Sequence, residues 1–100
     1  MISRKLSDLL PGKTKNQSVA RGLHYDSRKV EPGFVFFAVP GFKEDGAKYV
    51  NAAFNQGAIA AVVQRGARLP DEYRDLCIEV DDVRRTLAEA SANFYGHPGR

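Results

Sequence analysis

Apolar residues in this chain fall into two kinds of run. Val35 to Val39 and Ala58 to Val63 are short and continuous. A strand covered on both faces reads that way, because neither face can be polar. Val35–Val39 lies between the turns Glu31-Pro32-Gly33 and Pro40-Gly41, and is therefore expected to be a central strand buried on both sides. Elsewhere the apolar positions recur at helical spacing. Tyr49, Val50, Ala53, Phe54 and Gly57 give one face of a helix from about Gly46 to Gln56. Asp45 is placed to cap its free amides, and Gly57 to end it in the left-handed conformation. Val83, Leu87, Ala90, Ser91 and Phe94 give a last helix capped by Asp81 or Asp82, and Leu6, Leu9 and Leu10 give a short one over Ser3–Leu10, stopped by Pro11-Gly12.

Two weaker strands complete the series. Val19 to Tyr25 is one, interrupted by Gly22, and Leu76 to Val80 is the other. Lys13 to Gln17 and Arg65 to Asp75 are polar connections. The order helix, strand, strand, helix, strand, strand, helix predicts a small three-layer α/β domain, with a mixed, mostly parallel sheet and flanking helices. The strand that directly follows the Gly46–Gln56 helix suggests a right-handed β-α-β crossover. Residues 1–95 form the expected domain, and Gly96-His97-Pro98-Gly99 begins a linker across residues 96–100.

Composition narrows the function. One hundred residues with 43% apolar content suffice for one core. No stretch approaches the roughly 20 apolar residues that cross a bilayer. Met1–Leu10 has no apolar core of a signal peptide, and a lone cysteine, Cys77, suits a reducing cytoplasm. Cys77, His24 and His97 are too scattered for a metal site. His24 reads as a surface strand residue, His97 as linker and Cys77 as core. No nucleophile or acid–base pair is identifiable, so no catalytic residue is expected. Residues 1–30 carry a balance of +5 within a net charge of +3, which favours an anionic ligand near the first half or is simply a solvated basic surface. No aromatic residues interleave with these cations, and no nucleic-acid module is present.

Two polar segments remain as candidates, each following a predicted strand. Asp26-Ser27-Arg28 supplies an acceptor, a hydroxyl and a five-donor fork. Its serine suits a neutral heterocycle, and its arginine suits either a phosphate or an ion pair with Asp26. The same residues also suit a plain turn. Gly41-Phe42-Lys43-Glu44-Asp45-Gly46 leads into a helix N-terminus, where anions bind well. It has neither the spacing of a phosphate-binding loop nor that of a dinucleotide fingerprint. Phe42 can stack on a base or pack on its own loop. If the strands are parallel, both segments lie at one sheet edge, where open α/β sheets bind ligands.

Several motifs occur here in order: Gly22-Leu23-His24-Tyr25-Asp26-Ser27-Arg28, then Pro32-Gly33-Phe34-Val35-Phe36-Phe37-Ala38-Val39-Pro40-Gly41, then Asp45-Gly46, and finally Phe94-Tyr95-Gly96-His97-Pro98. From Gly22 onward the chain resembles the N-terminal domain of the Mur ligases, most of all the UDP-N-acetylmuramoyl-tripeptide synthetase branch. The resemblance implies a cytoplasmic domain that binds the UDP part of UDP-N-acetylmuramoyl-L-Ala-D-Glu for an ATP-dependent ligase adding a diamino acid during peptidoglycan synthesis. It carries substrate contacts onto Tyr25, Ser27, Phe42, Lys43 and Glu44, with Asp26, Arg28, Asp45 and Gly46 in support. Several family members have a histidine where Phe42 stands. ATP, magnesium, and the ATP-binding and C-terminal domains are implied for the full-length enzyme and lie outside these residues, so the chain alone is expected to be inactive. The branch that adds D-Ala-D-Ala and a free-standing binding module are the alternative readings.

Overall fold

In the computed structural model, residues 3–14, 16–39, 46–67 and 69–95 are described. Four strands form a fully parallel sheet in the order β3-β4-β5-β6, where β3 is Gly22–His24, β4 Phe34–Phe37, β5 Ala60–Gln64 and β6 Cys77–Val80. Helix α1 (Leu6–Leu9) and α3 (Val83–Tyr95) cover one face, and α2 (Gly46–Asn55) covers the other.

Alternation along the strands builds both cores. Val35 and Phe37 of β4, with Ala60 and Val62 of β5, join Leu6, Leu9, Leu10, Val83, Ala90 and Phe94. Phe36 and Ala38, with Ala61 and Val63, join Val50, Ala53 and Phe54 of α2. Because successive side chains point to opposite faces, a strand inside a three-layer fold must be apolar at every position.

The antiparallel pairing expected of a mixed sheet occurs elsewhere. Arg4–Lys5 (β1) pairs antiparallel with Val19–Ala20 (β2), with Arg4 opposite Ala20 and Lys5 opposite Val19. The first helix is therefore shorter than Ser3–Leu10, since its expected first turn is taken by β1. The single strand expected over Val19–Tyr25 is likewise split between two sheets. At the break, the Arg21 amide donates to the Gly33 carbonyl at 2.9 Å. A Cβ on Gly22 would lie 2.6 Å from Phe34 Cε1, so the phenyl ring packs where a side chain would stand. The polar connection before β6 contains a 3-10 helix, Asp71–Leu76, which shortens that strand to Cys77–Val80.

Asp82 is the residue that caps α3, its Oδ1 accepting from the Arg85 amide at 3.1 Å. The buried face of α3 includes Thr86, whose hydroxyl donates to the Asp82 carbonyl at 2.8 Å, an arrangement that lets a polar side chain sit in the core. The Asp45 cap, and residues 96–100 with His97, lie outside the described residues.

Candidate functional site

All four strands of the main sheet point the same way, so the segments after β3 and β4 emerge together at its carboxyl edge. A cleft of about 480 Å³ opens there. Tyr25, Asp26, Ser27 and Arg28 supply one wall from the end of β3, Phe36 of β4 with Ala38 and Val39 just beyond it supplies the apolar part, and Tyr49 reaches it from the first turn of α2.

The polar wall is held by local hydrogen bonds. Ser27–Lys29 is a single 3-10 turn with Asp26 as its cap. Asp26 Oδ1 accepts from the Arg28 amide at 2.9 Å and from Arg28 Nε at 3.2 Å, while Oδ2 accepts from Nη2 at 3.1 Å. The Asp26 amide donates to His24 Nδ1 at 2.9 Å, which requires the ring proton to sit on Nε2. The sequence left Arg28 between a phosphate and an ion pair. In the structure its guanidinium engages Asp26 side-on through two nitrogens.

These bonds hold the Asp26 carboxyl well below its ordinary 3.8, at about 2; the side-chain hydrogen bonds from Arg28 contribute most, followed by the backbone bond. A depressed carboxylate contributes stability that is present above its unfolded value and is lost as pH falls toward the folded one. That window runs from about pH 4 down to about pH 2. In Asp26→Asn, which can still cap the turn but loses the charge, the stability deficit against the parent is expected to shrink across this window. Urea unfolding at stepped pH measures it. A deficit that stays constant from about pH 4 to pH 2 would show that the ionised pair contributes nothing.

Ser27 is only 5% exposed, yet it lines the cleft. It and Thr86 are the buried polar side chains among the described residues. Tyr25 is 61% exposed and Tyr49 is 40% exposed, so the cleft carries two accessible aromatic residues beside a mostly buried serine.

Of the predicted site residues, Tyr25, Asp26, Ser27 and Arg28 are brought together. Gly46 is the first residue of α2, while Phe42, Lys43, Glu44 and Asp45 lie outside the described residues. Sequence reasoning missed Tyr49, which shares the helical phase of core residues, and the part His24 takes in fixing the turn. Only the spacing of His24 from Asp26 hinted at the latter. Cys77 is half buried in β6, and burial pushes its thiol upward, away from the reactive thiolate. Among the described residues no group of three metal-ligating side chains forms, and no helix is long and apolar enough to cross a membrane.

A larger cavity of about 750 Å³ is lined by β3 itself, by Arg21, Arg28, Lys29 and Glu31, and by Tyr95 at the end of α3. It is a groove at an outer strand of the sheet. The smaller cleft is the better candidate because it lies beyond the strand ends and holds a preorganised polar wall that includes Ser27.

Residues 19–95 match the family described as Mur ligase family, catalytic domain. The chain is 41% identical over 78 residues to the UDP-N-acetylmuramoyl-L-alanyl-D-glutamate–2,6-diaminopimelate ligase of Caldanaerobacter subterraneus subsp. tengcongensis, covering 77% of this chain and 16% of that one. Against the ligase of the same name from Geobacter metallireducens it is 43% identical over 77 residues, covering 77% and 15%. With that from Clostridioides difficile, 34% identity extends over 104 aligned positions, 96% of this chain and 20% of that one. The chain thus spans about a fifth or less of the length of these relatives. A crystal structure of MurF from Acinetobacter baumannii superposes with a TM-score of 0.69 over 91% of this chain and 21% of that one, at 21% identity, which bears on the fold alone.

Proposed function

The chain belongs to the Mur ligase family, and we propose that it is the domain with which an ATP-dependent ligase grips the UDP end of UDP-N-acetylmuramoyl-L-Ala-D-Glu. What supports this reading most is the 34–43% identity to ligases named for that substrate, running through the segments that build the cleft. The diamino acid added is then 2,6-diaminopimelate, as in the names of those relatives.

Uracil is flat and neutral, with donors and acceptors on its edge. The Ser27 hydroxyl in the cleft wall can read that edge, and the apolar positions at and just beyond the end of β4 can cover the ring. Tyr25 lies at the cleft mouth. In the same reading Phe42, Lys43 and Glu44 complete the site toward the diphosphate, at the entry to α2. Asp26 and Arg28 hold the first segment through the bonds described above, and Asp45 and Gly46 are assigned to the site as supporting residues in the same reading.

Residues 1–95 are the domain and residues 96–100 start the linker to an ATP-binding domain. Chemistry belongs to the rest of such an enzyme. ATP with magnesium would activate the D-Glu carboxylate as an acyl phosphate, and the incoming amine would displace the phosphate. This chain contributes binding and orientation, which still affect rate because remote binding energy positions the reacting group. The enzyme would act in the cytoplasm, where its nucleotide-linked substrate and ATP are available.

Calorimetric titration of UDP into the chain tests the reading. Binding is expected to be weak, because much of the substrate's contact area lies on other domains. Ser27→Ala is expected to weaken it by up to about tenfold, the value of one neutral hydrogen bond of roughly 0.5–1.5 kcal/mol. No heat with UDP for the folded parent would refute nucleotide binding. Unchanged affinity in the variant would remove Ser27 from the site.

A further inference from the structure

We propose that Tyr49 is a second aromatic contact for the ligand's heterocycle, so that the cleft distinguishes a nucleotide from a bare diphosphate by stacking. The inference rests on the nucleotide-binding reading above and adds a residue that neither the motifs nor the helical pattern assigned to the site.

The placement of Tyr49 carries the argument. Val50, Ala53 and Phe54 of the same helix are fully or almost fully buried against the sheet, whereas Tyr49 remains 40% exposed. It lies in the first turn of α2, and in a β-α connection the helix starts beside the carboxyl end of the preceding strand. There the sheet gives out, and the ring meets the cleft walled by Tyr25, Ser27, Phe36 and Ala38. A large ring left half in water beside apolar walls suits a partner with a π-face. Any nucleobase presents one, and stacking is tolerant of base identity. Ser27 would then supply the selectivity, and Tyr49 the grip on a flat ring. A diphosphate has no such face, so its binding does not depend on Tyr49.

The test uses UDP, uridine and inorganic pyrophosphate with the parent chain, Tyr49→Phe and Tyr49→Leu. Tyr49→Leu is expected to bind UDP and uridine roughly tenfold more weakly, within the range measured for base stacking on aromatic side chains. Tyr49→Phe, which keeps the ring, is expected to stay within about twofold of the parent. Pyrophosphate binding is expected to be the same in all three. The chain has four tyrosines and no tryptophan, so tyrosine emission gives a second readout. UDP is expected to quench it in the parent, and less in Tyr49→Leu, after correction for ligand absorbance.

If Tyr49→Leu is folded by circular dichroism and binds UDP like the parent, the assignment of Tyr49 is wrong and the nucleotide site stands. An equal loss in Tyr49→Phe and Tyr49→Leu would place the contribution in the hydroxyl and overturn stacking. If the parent itself binds neither UDP nor uridine, the nucleotide-binding reading fails, and this inference fails with it.

Discussion

Gly57→Ala is expected to destabilise the domain by about 2–5 kcal/mol, enough to consume much of the ~5–15 kcal/mol margin of a domain this size. Two separate effects add at this position. Gly57 has φ +105°, where an L side chain is strained. A Cβ there would also stand 2.7 Å from Pro32 Cα, a backbone atom that cannot rotate aside.

The hydrogen bonds show why the chain cannot simply relax. The Gly57 amide donates to the Phe54 carbonyl at 3.0 Å and the Ala58 amide to the Ala53 carbonyl at 3.1 Å. Together these are the Schellman arrangement that closes a helix with a left-handed residue. The Gly57 carbonyl in turn accepts from the Gly33 amide at 2.9 Å, which ties the end of α2 to the turn before β4. Gly66→Ala is the control. Gly66 has φ +87° with nothing within 4 Å of an added Cβ, so strain alone applies and about 1–2 kcal/mol is expected. Urea unfolding of both variants separates the terms. Equal losses would show that the contact with Pro32 contributes nothing.

The closing glycine of α2 was legible in the sequence because its cause is local: a helical apolar pattern ends at the one residue type that turns left without strain. β4 and β5 were legible for a different reason, since a strand sandwiched between two layers is apolar along its buried length, and only the terminal Gln64 of β5 is polar. The pair β1–β2 was not legible. Two-residue strands contain a single period of alternation, too little to repeat, and the exposed Arg4 and Lys5 carry no burial signal. Thr86 was passed over because burial of a hydroxyl depends on a partner four residues back, which composition does not reveal.

At the site, the Asp26-Ser27-Arg28 cluster was legible as chemistry but not as geometry. Whether Arg28 faced a ligand or its neighbour depended on the 3-10 turn that brings its amide and its guanidinium onto one carboxylate. Tyr49 was misread because helical phase assigns a residue to the sheet side without saying where the sheet ends. At the first turn of α2 that side is already cleft.

Phe36→Ala and Phe37→Ala form the second large prediction, because these neighbours on β4 separate the fold from the site. Both are almost completely buried, at 2% and 0% exposure, and each truncation is expected to cost about 3–5 kcal/mol. Their surroundings differ. Phe37 belongs to the core built with Leu6, Leu9, Leu10 and Phe94, on the face remote from α2. Phe36 packs with Val50, Ala53 and Phe54 on the opposite face, and it also walls the cleft beside Ser27 and Tyr49. The melting temperature should fall in both, by about 4–8 °C per kcal/mol in a domain this small. UDP affinity, measured well below each melting point, is expected to stay at the parent value in Phe37→Ala and to weaken several-fold in Phe36→Ala. That loss has a direct cause: removing the phenyl ring leaves a void under the ligand and widens the space in which a base must be held flat. If both variants bind UDP equally well, the apolar wall from β4 is not in contact with the ligand, and the cleft at the ends of β3 and β4 is not where the nucleotide sits.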